Sequence, residues 1–429
     1  MADHSQRIRE NYLLLDEVLK RKSTQIRESG VVDAHSRAAE LSAPVTATTL
    51  LGNAHIRLPR EQRGAVDFAA DFQAKLQRKH IPALDGLRAI AVFLVIFYHF
   101  GFSCVPGGRG VTAFFVLSGF LITWLLLKEN EKSGTVSISS FYMRRVLRIF
   151  PAFYCYWTLL IILLLLKNNA IPWPHAWTSL FYTSNYYIAL NGDPENGFSH
   201  TWSLAIEEQF YLLWPLAFLW WRRNLARLTV HLVGIIGAVW VYRALLVFLL
   251  KVDQAYVYAA FDTRLDHLMV GCLLAVVLKR GVLLSFWEAV CSNVCLPLLT
   301  VALLAASIFL GESFYDRYRD VFGFAVEPIL FAVLVVQLMR FCSSLPWKWI
   351  EWPVLRYLGR ISYSLYLYQQ MTLYPVRRVL AAQPVVLQLA AAVILTVIVA
   401  TASYYLIERP FLKFKNAWAN YRRPLVAAA

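Results

Sequence analysis

Ten apolar runs follow one another between residues 82 and 407, at roughly 82–101, 110–127, 149–167, 205–221, 228–250, 265–279, 295–311, 321–339, 361–380 and 386–407. Nothing else in the chain restricts its fold so severely. In lipid each backbone N–H and C=O must find its partner inside the segment, which a helix provides. Several runs fall short of the ~20 residues that cross unaided, and their flanks are expected to contribute. The expected fold is therefore all-α, a polytopic membrane bundle of about ten transmembrane helices. Residues 168–200 are aromatic but broken by prolines and polar groups. They read as an interfacial or re-entrant loop, with an eleventh span as the alternative.

Composition agrees. The 429 residues are 58% hydrophobic and 16% charged, with a mean hydropathy of +0.50, too apolar for a soluble protein of this length. Fourteen Trp and 22 Tyr suit two interfacial belts. A net charge of +15 could suggest a nucleic-acid partner, but its distribution argues against one. With ten spans both termini share a side, and 32 of the 42 Lys and Arg fall there. Eight lie on the opposite side, and Arg88 and Arg243 lie within spans. The positive-inside rule places both termini in the cytoplasm. Six cysteines sit mostly in or beside apolar runs without metal-ligand spacing, and Cys291 and Cys295 read as packing residues. No metal site is expected. Residues 1–80 are too polar for a cleavable signal peptide, so the first apolar run is expected to act as an uncleaved anchor.

Three regions follow. Residues 1–80 form a cytoplasmic extension, with Ile8, Tyr12, Leu15, Val18 and Leu19 at helical spacing over about 6–27 and a linker to about 75. Residues 81–412 form the membrane domain, and 413–429 a short basic tail.

Ionisable groups inside the spans are the candidates for chemistry. In LDGLRAIAVFLVIFYH, residues 84–99, eleven steps from Arg88 to His99 bring both onto one helical face, roughly 16 Å apart. Asp85 lies one turn before Arg88 and can pair with it. Snorkelling of Arg88 and an interfacial role for His99 are the structural alternative. In SHTWSLAIEEQFYLLWP (199–215), Glu207 and Glu208 enter an apolar run at the outer end of the fourth span. They are expected level with His99, where a carboxylate would orient its ring as a general base. Arg144, Arg145 and Arg148 open the third span; positive-inside topology accounts for them, as does a clamp for a phosphate-bearing ligand. Ser118-Gly119 within a span reads as a close-packing site. Asp262, Arg264, Asp266 and His267 at the mouth of the sixth span form either a structural ion-pair network or part of an acceptor site.

These stretches, in this order, together resemble the acyltransferase 3 family of integral membrane acyltransferases: LDGLRAIAVFLVIFYH, FFVLSGFLIT, RRVLRIFP, TWSLAIEEQFYLLWP, DTRLDHLMVG and LGRISYSLYLYQQ. The similarity runs over roughly 80–412. It implies an enzyme that moves an acyl group, often acetyl, from cytoplasmic acyl-CoA to a hydroxyl of a saccharide or a small natural product. A bacterial inner-membrane location and a glycan or glycolipid acceptor follow from the same resemblance. Acyl-CoA would be a co-substrate, with no permanently bound cofactor. By position, His99 and Arg88 match the family's essential pair and Arg145 and Arg148 its Arg-x-x-Arg motif. Ser203 and Glu207 match Ser-x-x-x-Glu, and Ser362 with Tyr363 the late Tyr-Ser region. After SYSLYL many relatives carry an aromatic residue and a His, whereas Tyr368, Gln369 and Gln370 follow here. The esterase-like domain fused to some relatives is not expected, leaving transfer to this chain or to a separate extracytoplasmic acyl-accepting partner.

The expected mechanism places the phosphates of acyl-CoA on Arg144, Arg145 and Arg148, with Arg88 lining the way in. His99, oriented by Glu207 or Glu208, deprotonates the acceptor, or carries the acyl group covalently. A proton-coupled transporter or flippase is the rival from another class, although no duplicated half with matching interrupted spans is visible. A membrane scaffold is a third.

Overall fold

The computed structural model describes residues 72, 75–78, 80–102, 104–313 and 316–413. The expected amphipathic helix over 6–27, most of the linker and the tail beyond 413 lie outside them. The described residues form helices and no strands.

In chain order the helices are α1 (Pro82–Phe100), α2 (Gly107–Ser133), α3 (Ile138–Leu166), α4 (Trp173–Leu180), α5 (Ser184–Asn191) and α6 (Thr201–Trp221). They continue with α7 (Leu225–Ala244), α8 (Gln254–Ala259), α9 (Phe261–Arg280), α10 (Leu284–Val290), α11 (Leu296–Ser313) and α12 (Phe324–Phe341). The last three are α13 (Pro353–Arg360), α14 (Ser362–Val379) and α15 (Val385–Ser403). π-Helical turns extend α7 (Leu245–Leu249), precede α12 (Arg319–Gly323) and extend α15 (Tyr404–Glu408).

Each of the ten predicted spans falls on a helix. Six helices are long and apolar enough to cross a membrane: α1, α2, α3, α7 and α12 with their π-turns, and α15 continued to Lys413. Residues 254–290 could supply a seventh, although α9 and α10 meet at 111°. The remaining predicted spans fall short for two reasons. α11 is apolar but short. α6 and α14 have the length but carry Ser203, Glu207, Glu208 and Gln209, and Ser362, Ser364, Gln369 and Gln370. Helices too polar to face lipid must turn those groups inward, and these two line the site described below.

Residues 168–200 fold as α4 and α5, of eight residues each. At about 1.5 Å per residue neither can cross a bilayer. His175 of α4 is fully buried, its ring stacked on Tyr187 at 4.7 Å. Burial pushes its imidazole down to about 4, against the opposing influence of Asp193 and Asn196.

Burial sorts the helices into centre and rim. Within the most apolar stretch of α2, 83% is buried, against 17% for α15. The outer surface presents Leu166, Val230, Leu249, Val386 and Leu406, each at least 70% exposed. Water would not tolerate so much exposed apolar surface on one protein; lipid requires it. Inside the bundle there is little hydrophobic drive between helices, so close backbone packing matters more. α2 and α9 make the most extensive pairing. A Cβ on Gly119 would lie 2.0 Å from the Leu268 carbonyl oxygen, and one on Gly271 would lie 2.1 Å from that of Val116. The close-packing reading of Ser118-Gly119 thus holds for Gly119, while Ser118 faces the pocket described below. A Cβ on Gly359 of α13 would lie 1.8 Å from the carbonyl oxygen of Asp85 in α1.

Candidate active site

α1, α2, α3, α6 and α14 enclose a pocket of about 730 Å³, its open mouth included. Its walls are apolar where Val111, Phe114, Phe115 and Leu204 face it. Two arginines, Arg88 and Arg148, and two glutamates, Glu207 and Glu208, break that surface. Hydroxyls of Ser118, Ser203, Ser362, Tyr211, Tyr363 and Tyr366 complete the lining. A largely apolar cavity with a few convergent polar groups is the usual form of a small-molecule site.

The floor is a hydrogen-bonded chain. Tyr211 donates its hydroxyl to Glu207 Oε2 at 3.3 Å and shares a short hydrogen bond with Ser118. With the Tyr211 proton directed at the carboxylate, Ser118 must be the donor to Tyr211. Asp85, Glu207, Tyr211 and Arg148 lie close enough to act electrostatically on Arg88, whose buried Nε has no hydrogen-bond partner. Asp85 also binds the ring of His80 at 2.5 Å.

The expectation that Glu207 or Glu208 orients His99 fails. Both glutamates lie nearly two turns inside α6, where Glu207 accepts from Tyr211 within electrostatic reach of Arg88, and Glu208 lies within electrostatic reach of Arg145 and Glu207. They are level with Arg88 rather than with His99, and His99 does not line the pocket. α6 starts at Thr201, four residues before the apolar run at 205, which sets Glu207 about 9 Å along its axis. His99 Nδ1 instead lies 3.3 Å from Gln369 Oε1 of α14.

The arginine cluster divides three ways. Arg148 lines the pocket. The guanidinium of Arg145 sits over the rings of Tyr211 and Phe141, 5.2 and 5.6 Å from their centroids. Arg144 leaves the cluster: it pairs with Glu129 at 2.9 Å, both side chains partly exposed. Arg144 lies only about 40° around the helix from Arg148, so the ion pair with Glu129, not its place on the helix, keeps it out of the pocket lining and out of the expected phosphate clamp.

Other expected residues find defined places. Ser203 and Tyr366 share a 2.5 Å hydrogen bond, and Tyr366 also donates to the His200 carbonyl at 2.9 Å. Together with the His200 Nε2 bond to the Leu367 carbonyl at 3.0 Å, these contacts tie the start of α6 to α14. Ser362 lines the pocket, and Tyr363 donates to the Ile149 carbonyl of α3 at 3.0 Å.

The Asp-Thr-Arg-Leu-Asp-His stretch lies apart from the pocket as a buried polar network. Asp266 accepts both ends of the Arg243 guanidinium at 3.1 and 3.0 Å, the His267 Nδ1 proton at 2.9 Å and Trp240 Nε1 at 3.0 Å. Arg264 is fully buried, 3.9 Å above the Phe324 ring. Asp262 accepts from Tyr186 and Tyr256 at 3.1 and 3.0 Å. These contacts satisfy both carboxylates, as the structural reading expects, whereas Nε and Nη1 of Arg264 and Nε2 of His267 are buried without a hydrogen-bond partner.

Sequence reasoning missed Tyr211, Tyr366, Gln369 and Glu408. Tyr211 could have been found, four residues after Glu207 and so on its face. Glu408 had no such signal. It is buried in the π-turn after α15, accepts a short hydrogen bond from Ser364 and senses the charge of Arg148.

Fold and site together define a multi-pass helical membrane protein with a charged pocket enclosed by its spans. Residues 81–405 match the family described as an acyltransferase domain. The peptidoglycan O-acetyltransferase OatA of Listeria monocytogenes is 33% identical over 375 residues, which cover 81% of this chain and 58% of that protein. The O-acetyltransferase OatA of Staphylococcus aureus is 32% identical over 358 residues, 78% of this chain and 58% of the relative. The chain thus spans a little under three fifths of these relatives. No solved structure matches. The chain belongs to the acyltransferase 3 family.

Proposed function

We propose that the protein is a membrane O-acetyltransferase that carries an acetyl group from cytoplasmic acetyl-CoA to a hydroxyl of a cell-envelope saccharide. The observation that carries this reading is the pocket, where Arg88 and Arg148 stand among hydroxyls and two glutamates in a partly apolar wall. Guanidinium groups suit the phosphates of a CoA donor. The apolar wall suits its pantetheine arm. The two relatives are named for O-acetyl transfer, one of them to peptidoglycan, which makes a glycan the acceptor class.

Ten spans with both termini in the cytoplasm of a bacterial inner membrane complete the proposal, on the strength of the Lys and Arg distribution. Arg148 and Arg145 then mark the donor side, and His99 the acceptor side. Nε2 of His99 takes the proton of the acceptor hydroxyl as its oxygen attacks the thioester carbonyl. A C–O bond forms, the C–S bond breaks, and the leaving CoA thiolate receives a proton from solvent or from the imidazolium. Glu207, held by Tyr211, supplies the countercharge to Arg88.

The test is incubation of the purified full chain in lipid nanodiscs with radiolabelled acetyl-CoA and a soluble peptidoglycan fragment. Transfer or thioester cleavage that disappears in His99→Ala at equal protein level is the expected result. An intact thioester with the wild-type chain would support a carrier instead. Full activity in His99→Ala would remove His99 from the chemistry.

A further inference from the structure

The amide of Gln369 selects the tautomer of His99. Gln369 is fully buried on α14, and its two ends meet different partners. Nε2 donates to the backbone carbonyl of Tyr366 at 3.1 Å, while Oε1 faces Nδ1 of His99 at 3.3 Å. A carbonyl oxygen only accepts, so the nitrogen end of the amide must face Tyr366. The oxygen end is thereby turned to His99, and an amide oxygen also only accepts. Nδ1 of His99 must therefore carry the proton, and in the neutral ring Nε2 is left with its lone pair. The geometry points to Gln369 as a positioning residue that holds His99 as the Nδ1–H tautomer, with Nε2 free to take a proton from an acceptor.

The other groups near the ring act on its charge. The Val95 carbonyl on α1 is a second acceptor near the imidazole, and Asp193, in the loop before α6, contributes negative charge. His200 at the start of α6 is the other titratable ring close enough to sense His99. The Tyr98 ring lies edge-on at 5.6 Å, and Arg377 packs on Gly101 and Phe100 beyond it. A neutral amide fixes the ring without adding charge, so His99 is oriented here by a group that cannot itself take the proton.

The catalytic meaning of this assignment rests on the proposed role of His99; the tautomer itself does not, and the two are tested separately. Nitrogen NMR of ¹⁵N-histidine-labelled full chain in nanodiscs reads ring protonation directly, with His99 assigned by its absence in His99→Ala. The expected wild-type signal is a neutral ring protonated at Nδ1. Gln369→Leu is expected to shift the ring towards the Nε2–H form that free imidazole prefers. Gln369→Glu keeps the shape and adds a carboxylate, which should raise the pH at which the ring protonates by about one unit. Unchanged melting temperatures show that the variants are folded; should Gln369→Leu unfold, Gln369→Glu carries the test. A wild-type ring protonated at Nε2, or a Gln369→Glu midpoint equal to wild type, would overturn the assignment. Retained acetyl transfer in His99→Ala alongside the expected tautomer would overturn the proposed mechanism alone.

Discussion

Arg144 and Arg148 stand four residues apart on one helix, yet only Arg148 reaches the pocket. Proximity in sequence does not decide this, because Glu129 captures Arg144 outside the pocket. A hydrogen bond to a charged group contributes about 1.5–3 kcal/mol. Arg148→Ala is therefore expected to raise the KM for acetyl-CoA at least about 10-fold, and Arg144→Ala to change it less than about twofold. Steady-state kinetics on both variants checks the pair, and equal effects would return Arg144 to the clamp. His175 makes a second prediction at this scale. Its folded pKa of about 4 lies below the ordinary histidine value, so protons bind the unfolded chain first on acidification. Its contribution is whole above about pH 6.5 and is lost as the pH falls towards 4, by roughly 3 kcal/mol in all. His175→Phe keeps the stack on Tyr187, and its melting temperature should fall less than that of wild type between pH 7 and pH 4.5.

At the scale of the element, glycines with similar helical surroundings differ by what faces them. Gly119 of α2 lies against the backbone of α9, whereas nothing lies within 4 Å of a Cβ on Gly234 of α7. Gly119→Val should force α2 and α9 apart and destabilise by about 1–3 kcal/mol or more. Gly234→Ala should be neutral or stabilising by about 0.5–1 kcal/mol, because alanine has less backbone entropy to lose. Melting temperatures in detergent distinguish the two; equal shifts would contradict the close packing of α2 on α9. The existence of these helices was legible in apolar run length, and the small-residue contact in Ser118-Gly119. The π-turn that buries Glu408 was not. It depends on Ser364 of another helix, 44 residues earlier, and local periodicity carries no information about that partner.

At the scale of the whole molecule, two buried collections of ionisable groups among the described residues carry different expectations. One lines the pocket between α1, α2, α3, α6 and α14, and the other, around Asp266, joins α7 to α9. Removing one member of the second leaves a buried charge uncompensated, which costs about 3–5 kcal/mol. Asp266→Ala is thus expected to lower the folded yield sharply, read by size-exclusion chromatography, while Glu207→Gln should lower activity with near-normal yield. Normal yield for Asp266→Ala would argue that this network serves a ligand instead of the fold. The proposed topology belongs to the same scale. Alkaline phosphatase joined after Lys167 should be active outside the cytoplasm, and the same reporter after Lys413 inactive.

Run length and composition by themselves determined that the chain is helical with segments apolar enough to cross a membrane, and residue type singled out the short stretches that bring ionisable groups into them. They could do so because the cost of exposing backbone or charge to lipid is paid within each segment, residue by residue. The motifs of those stretches also sufficed to show the family resemblance. Tertiary structure alone decided which groups meet. Glu207 faces Arg88 and Tyr211 rather than His99, Arg144 pairs with Glu129, and Gln369, 270 residues from His99, supplies the ring's partner. Such pairings depend on the rotation of each helix about its axis and on its height in the bundle. Those two quantities are set by contacts such as Gly119 on Leu268 and Gly359 on Asp85, which no single segment contains.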